Sequence, residues 1–357
     1  MRLQLFKHNV PRSLIAQYPC EDKLNAKLMV LHRDSGEIEH KRFYNILDYL
    51  NPGDIVVAND SYMMNNIIHG YRANTEVIVY LLRVVGNESN NEEDSNCDGI
   101  CWDSIVTQSR KIRIGNKIYF PDLNMNAEVV DNTSISGRIL RFETDKTEQE
   151  FLELVNEHAE VNLPSFITRP VQKEDKQWVK SVYAKHFGSN THVTSGLHFN
   201  EQLLLKLKLK DVSFETLTYT ITNFPENKFD SKTVSAGKRI PEFCEISDDL
   251  IDKINNCKSK SHKVCAVGYS AVLGLENFFS PALGKLIKTT DIVTKTLISA
   301  SDFNVCDMIL TNFLENGSTF LISDAAFCRI ELLRKAYEEA VKNEYQFYMY
   351  GDSLLII

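Results

Sequence analysis

The sequence predicts an α/β (α+β) main domain, discontinuous in the chain, with a small β-barrel domain inserted into it. Three observations predict that class. Apolar runs such as Ile55–Ala58 and Val264-Cys265-Ala266-Val267 are short, unbroken and closed by turns, which is how strands covered on both faces read. From residue 62 to residue 146 the pattern changes to short strand-like runs separated by turns, the mark of a small barrel or sandwich. At Thr147 the apolar spacing returns to that of helices. The expected division is 1–61 and 147–357 for the α/β domain, and 62–146 for the insert.

In chain order, Lys27–Leu31 reads as an apolar strand, with a hairpin partner at Glu37–His40 across Arg33-Asp34-Ser35-Gly36. Phe43–Leu50 has helical spacing and stops at the turn Asn51-Pro52-Gly53-Asp54. Ile55–Ala58 is a buried strand whose end presents Asn59-Asp60-Ser61. In the insert, Glu76–Val84, Ile100–Thr107, Lys111–Ile114, Lys117–Phe120, Ala127–Asp131 and Arg138–Phe142 read as strands, with a hairpin at Gly115-Asn116. Gly86–Gly99 is acidic and polar, too poor in apolar side chains to order itself. Thr147-Glu148-Gln149-Glu150 fits a capping box. Asn200 and Ser247 are further helix caps. Lys263–Gly268 is a strand running into a short helix, and Asp324 opens a last helix with Phe327, Ile330, Leu333, Tyr337 and Val341 on one face.

Composition narrows the functional classes. The 357 residues are 43% hydrophobic and 25% charged, which excludes fibrous and fully disordered chains. A net charge of −8 argues against a general nucleic-acid coat and leaves room for a local basic strip. Two stretches carry basic residues with aromatics or strands, Arg169–His186 and Ser109–Lys117. The eight cysteines are scattered, several inside apolar runs, as expected of reduced thiols in a cytoplasmic protein. No apolar leader follows Arg2 and no run is long enough to span a bilayer, so no membrane is expected as a partner.

Familiar catalytic signatures fail on inspection. Gly268-Tyr269-Ser270-Ala271-Val272 has the outline of a nucleophile elbow but lacks its second glycine. No phosphate-binding glycine loop occurs. Cys97 and Cys101 have no second ligand pair, so no metal is expected. Three polar segments do read as site material. Asn59-Asp60 follows a buried strand, where crevices form in α/β sheets. Thr194-Ser195-Gly196-Leu197-His198-Phe199 places a small polar turn before a helix, with His198 available for proton transfer. Thr311-Asn312-Phe313 ends the apolar run Met308–Leu310.

In these segments the chain resembles, from end to end, the S-adenosylmethionine:tRNA ribosyltransferase-isomerases of queuosine biosynthesis. The resemblance rests on Leu14-Ile15-Ala16-Gln17-Tyr18-Pro19, Gly36-Glu37-Ile38, Leu50-Asn51-Pro52-Gly53-Asp54, Asn59-Asp60, Thr194 and Gly196-Leu197-His198-Phe199. It continues through Ala266-Val267-Gly268, Leu275-Glu276, Thr311-Asn312-Phe313, Ser318-Thr319 and Tyr350-Gly351-Asp352. The family's fold, an α/β domain interrupted by a small β-barrel, is what the chain's own pattern predicts.

The resemblance implies transfer and isomerisation of the ribosyl part of S-adenosylmethionine onto 7-aminomethyl-7-deazaguanine at the wobble position of tRNA. The product is epoxyqueuosine, with adenine and methionine released. S-adenosylmethionine enters as ribosyl donor, no metal is needed, and a monomer is expected. A base must remove the acidic proton beside the sulfonium and an acid must help adenine leave. His198 and Asp60 are the residues expected to move those protons. Asn59, Thr194, Gly196, Glu242, Glu276, Thr311 and Asn312 are expected to position substrate.

The chain also departs from the family pattern. Where the family has Thr-Arg-Val and Pro-Ala-Arg, Ser61-Tyr62-Met63 and Asn65-Asn66-Ile67 stand here. Val193 and Ser195 replace Ala or Pro, and Thr222-Asn223-Phe224 replaces Gly-Thr-Phe. Ile240 takes the His position of a Met-His-x-Glu stretch, Leu273 takes an Arg position, and Leu314-Glu315-Asn316 replaces His-Leu-Pro. Losing arginines removes fixed charge and forked donors, a loss that matters less if Lys185 or Lys238 reaches the crevice beside Asn59, Thr194 and Asn312. Two readings stand open. One is the family reaction. The other is a divergent paralogue acting on another acceptor, or a nucleoside- or S-adenosylmethionine-binding protein without the full chemistry.

Overall fold

A computed structural model describes residues 7–85, 99–132, 137–189, 191–221, 238–287, 290–316, 318 and 320–357. The acidic stretch expected at Gly86–Gly99, Gly99 apart, and the positions Thr222, Asn223, Phe224 and Thr319 lie outside the described residues. The chain forms two compact units, one of Met1–Met63, Phe166–Pro170 and Gln177–Ile357, the other of Met64–Ser165 and Val171–Lys176.

The first unit is built on a nine-stranded sheet. Its order is Thr290–Lys295, Lys238–Glu245, Ser213–Thr220, Ile55–Asn59, Val264–Val267, Met308–Asn312, Ser353–Ile356, Lys27–Leu31 and Ile38–Arg42. The four strands from Ser213–Thr220 to Met308–Asn312 are mutually parallel. Ser353–Ile356 runs antiparallel to Met308–Asn312, pairing Asn312 with Ser353. Successive strand residues point to opposite faces, and both faces are apolar here. Val57, Val264, Ala266 and Ile309 pack with the helices Asp248–Ser259, Gly268–Asn277, Phe320–Cys328 and Ile330–Lys342. Val56, Ala58, Cys265, Val267, Met308 and Leu310 pack with Phe43, Ile46, Phe199, Leu203 and Leu207 on the other side. Each fully buried aliphatic side chain contributes about 1.5–3 kcal/mol of transfer free energy, so this double covering fixes the sheet from which the polar ends project.

The second unit contains a closed antiparallel barrel of Ile67–Arg72, Thr75–Val84, Ile100–Val106, Lys117–Phe120, Met125–Asn132 and Arg138–Phe142. Alternate residues fill it, among them Val77, Val79, Leu81, Ile118, Phe120, Ala127 and Val129. Gly70 belongs there for a packing reason: a Cβ would lie 2.6 Å from the Ile118 side chain and 2.7 Å from the Phe120 ring.

All three expected caps form. The Thr147 hydroxyl accepts from Glu150 N–H and the Glu150 carboxylate from Thr147 N–H. Asn200 and Ser247 accept from the amides of Leu203 and Leu250. Three expectations need correction. Lys111–Ile114 is a turn region, and no hairpin forms at Gly115-Asn116. Lys117–Phe120 pairs instead with Met125–Asn132. Phe43–Tyr49 is a 3-10 helix, not an α-helix. The last long helix is two helices, Phe320–Cys328 and Ile330–Lys342, broken at Arg329 with φ +68°. The apolar stripe runs through the break, so nothing in the side-chain periodicity marks it.

Candidate active site

Register places the candidate residues at one edge of the sheet. Ala58 lies beside Val267, and Val267 beside Leu310. The next residues along these parallel strands, Asn59, Gly268 and Thr311, therefore emerge together at the carboxyl edge, where ligand crevices form in such sheets. Helix Gly268–Asn277 starts at that edge, and its first residue has φ +78°. A Cβ on Gly268 would lie 3.0 Å from Ser195 Oγ, so this glycine brings the Thr194–His198 turn against the strand end.

Asn59 is buried and uses every polar function it has. Its amide donates to Tyr219 O at 2.9 Å and Ser270 Oγ at 3.1 Å, and its Oδ1 accepts from Ser61 N–H at 3.0 Å and Tyr219 N–H at 2.9 Å. The residue thus locks the strand end in place. Ser270 is buried as Asn59's partner, which removes any nucleophile-elbow role. Ser61 Oγ donates to Tyr219 O at 2.7 Å and lies 2.8 Å from Ser189 Oγ.

Asp60 follows directly. Its Oδ1 accepts from Thr218 Oγ1 at 2.8 Å, and its Oδ2 lies 3.8 Å from Lys185 Nζ. Its backbone oxygen accepts from the amides of Lys185 and His186. The Lys185 side chain is 63% exposed against 5% for Asp60, so the pair sets an exposed cation at the outer side of a held carboxylate. Glu242 is buried and accepts from Tyr219 Oη at 2.8 Å. The Lys238 side chain lies outside the described residues.

A second cluster gathers around the Gly351 carbonyl. His198 Nε2 lies 2.9 Å from that oxygen and Asn312 Nδ2 donates to it at 3.2 Å. A carbonyl only accepts, so Nε2 carries the ring proton. The imidazole packs 5.0 Å from the Phe43 ring, centroid to centroid, and burial lowers its pKa. Asn312 Oδ1 is buried with no hydrogen-bond partner among the described residues. Thr311 is buried beside it, and Thr194 O accepts from Leu197 N–H to close the turn. Gly196 is required by its neighbour: a Cβ there would fall 1.5 Å from Tyr183 Oη.

Glu276 stands apart from both clusters. Eight residues along its helix from Gly268, it is about 12 Å from the sheet edge at 1.5 Å per residue. Its buried carboxylate accepts from the amides of Asn304, Val305 and Cys306, where it fixes the loop leading into Met308–Asn312. Burial raises its pKa, and those three amides oppose the rise.

The structure adds residues that the sequence did not single out for the site: Tyr183, Ser189, Thr218, Tyr219 and Ser270. Gly351 lay inside a matching motif. Ser270 stood in the elbow-like segment at the start of helix Gly268–Asn277; Tyr183, Ser189, Thr218 and Tyr219 are ordinary strand and turn residues whose roles come from pairing, and no local signal marks them. Among the described residues no group of three or more His, Cys, Asp or Glu side chains is placed to hold a metal ion. No helix among them is long and apolar enough to cross a membrane.

Comparison with known proteins follows the same lines. A family model described as queuosine biosynthesis protein matches residues 3–356. The S-adenosylmethionine:tRNA ribosyltransferase-isomerase of Flavobacterium psychrophilum is 35% identical over 361 residues, and that of Amoebophilus asiaticus is 37% identical over 359. Each alignment covers 100% of both chains. The crystal structure of S-adenosylmethionine tRNA ribosyltransferase from Thermotoga maritima matches with a TM-score of 0.52 and 24% identity, over 99% of this chain and 100% of that one. That likeness bears on the fold, an α/β domain with a small β-barrel. With a family model over nearly its full length and relatives above one-third identity, the chain belongs to the queuosine biosynthesis family of S-adenosylmethionine:tRNA ribosyltransferase-isomerases.

Proposed function

We propose that this protein transfers and isomerises the ribosyl moiety of S-adenosylmethionine onto 7-aminomethyl-7-deazaguanine at the wobble position of tRNA. Epoxyqueuosine forms, and adenine and methionine leave. The observation that carries the reading is convergence. Asn59-Asp60, the Thr194–His198 turn, Thr311-Asn312 and Gly351 are scattered over the chain, yet all meet at one carboxyl edge of one sheet.

Asp60 serves as the base. One oxygen is pinned by Thr218 and the other faces Lys185, so the carboxylate is oriented while its exposed partner can swing aside. It takes the proton from the carbon next to the sulfonium, and adenine departs carrying a proton; the amine of the modified base bonds to the sugar and gives up a proton, and methionine leaves as its C–S bond breaks on closure of the epoxide. Lys185 supplies positive charge where the family has an arginine nearby. His198, neutral through burial and donating to Gly351, acts as a clamp on Gly351 and Asn312. Asn59, Thr194, Gly196, Glu242, Thr311 and Asn312 shape the cradle, and Glu276 acts through the Asn304–Cys306 loop.

The test is turnover with S-adenosylmethionine and tRNA bearing 7-aminomethyl-7-deazaguanine, read by mass spectrometry of the nucleosides and by adenine release. Epoxyqueuosine with matching adenine is the expected result. Folded protein that binds S-adenosylmethionine and yields neither product would overturn the reading in favour of a paralogue with another acceptor.

A further inference from the structure

One surface of the first unit is not explained by the site. Arg169 stacks over two aromatic rings, its guanidinium carbon 4.4 Å from the Tyr18 centroid and 5.5 Å from that of Trp178. Those rings meet edge-to-face at 6.0 Å. Arg169 Nε donates to Gln17 O at 2.8 Å and Nη1 to Pro170 O at 3.0 Å, which holds the guanidinium beside the rings. Two residues after Trp178, Lys180 Nζ sits 4.0 Å above the Tyr62 ring. Tyr62 in turn contacts Phe187 at 6.1 Å.

The strip leads to Asp60. Tyr62 lies on Ser61–Met63, which pairs with His186–Ser189 in parallel, and Lys185 immediately precedes that strand. Tyr18 is 49% exposed. Lys180 makes no ion pair among the described residues, on a chain whose net charge is −8. Cations kept over ring faces, on an otherwise acidic protein, present positive charge and flat π surfaces together. That pairing suits a single-stranded nucleic acid, whose bases stack on aromatic or guanidinium planes while its phosphates meet the cations.

We propose that the strip of Tyr18, Arg169, Trp178, Lys180 and Tyr62 receives the unpaired nucleotides of the tRNA substrate and delivers the reacting base to the Asp60 edge. This rests on the reading that the protein acts on tRNA. The bases flanking the reacting nucleotide stack on the rings, and Lys180 and Lys185 take the phosphates.

The test is fluorescence anisotropy of a labelled substrate tRNA with full-length wild type, Tyr18→Ala, Lys180→Gln and Lys342→Gln, the last on helix Ile330–Lys342 and outside the strip. Titrations run from 50 to 200 mM salt, with S-adenosylmethionine binding measured by calorimetry and folding by thermal melts. Tyr18→Ala is expected to weaken tRNA binding by about 5–150-fold, the value of one stacked base. Lys180→Gln is expected to lower the slope of log K against log salt by about 0.7, one phosphate contact on a single strand. Both raise KM for tRNA, and Lys342→Gln matches wild type. If wild type modifies tRNA but Tyr18→Ala and Lys180→Gln bind it with wild-type affinity and slope, the strip is overturned and the function stands. If wild type neither binds nor modifies tRNA, both fall.

Discussion

The imidazole of His198 and the side-chain amide of Asn312 reach the same oxygen, the Gly351 carbonyl, at 2.9 and 3.2 Å. Three segments more than a hundred or nearly forty residues apart are thereby tied at the sheet edge. Burial lowers the His198 pKa, so the folded ring stays neutral while the unfolded one protonates below about 6.5. The stabilisation is therefore complete above pH 6.5 and is lost as the pH falls toward the lowered folded value.

His198→Ala leaves a buried carbonyl one donor short and should cost about 1–3 kcal/mol at pH 7.5. The gap between variant and wild type should narrow below pH 6, because only the wild type carries the titrating ring. Urea melts across pH measure it, and a gap independent of pH would refute the assignment.

Asp324 gives the opposite sign. Its carboxyl lies inside a buried helix, Oδ2 has no partner among the described residues, and burial pushes its pKa up to about 8. A raised folded pKa means the favourable state is the neutral acid. Its contribution is complete below the unfolded value near 4 and lost as pH rises through about 8. Asp324→Asn should raise stability by on the order of a few kcal/mol at pH 8 and far less at pH 4. Thermal melts at the two pH values decide it, and a variant less stable at pH 8 would contradict the account.

Gly196→Ala sets a methyl group where Tyr183 Oη now stands. The turn before His198 must shift, and turnover should fall at least about tenfold, the loss expected from misplacing a positioned group by an ångström. Adding Tyr183→Leu, which clears the space, should recover part of it. A single variant with wild-type turnover would show that the turn lies outside the site.

Much of the scaffold was legible because burial writes itself into short patterns. Ile55–Asn59 is apolar up to Asn59 and Val264–Val267 is apolar throughout, and Thr147, Asn200 and Ser247 cap as local chemistry requires. The failures share a cause. Arg329 adopts φ +68° with no glycine or proline to announce it, and Ile67–Arg72 alternates too weakly to be read as a strand before its partners are known. Asn59 was readable as a site residue, but not the four hydrogen bonds that make it the lock of the strand end. Tyr219, its chief partner, lies 160 residues away, and no pattern along the chain encodes such a contact. Glu276 belonged to a matching motif, yet pitch alone carries it to the far end of its helix.

The most direct test of the central claim, that chemistry runs at the Asp60 edge, is single-turnover adenine release by Asp60→Asn. The amide keeps the shape and can still accept from Thr218, so the substitution removes the base, and with it the charge facing Lys185. The account predicts a rate lower by about 10²–10⁴-fold, the usual contribution of a positioned general base, with S-adenosylmethionine still bound. Adenine released at the wild-type rate would contradict it and move the reaction away from this edge.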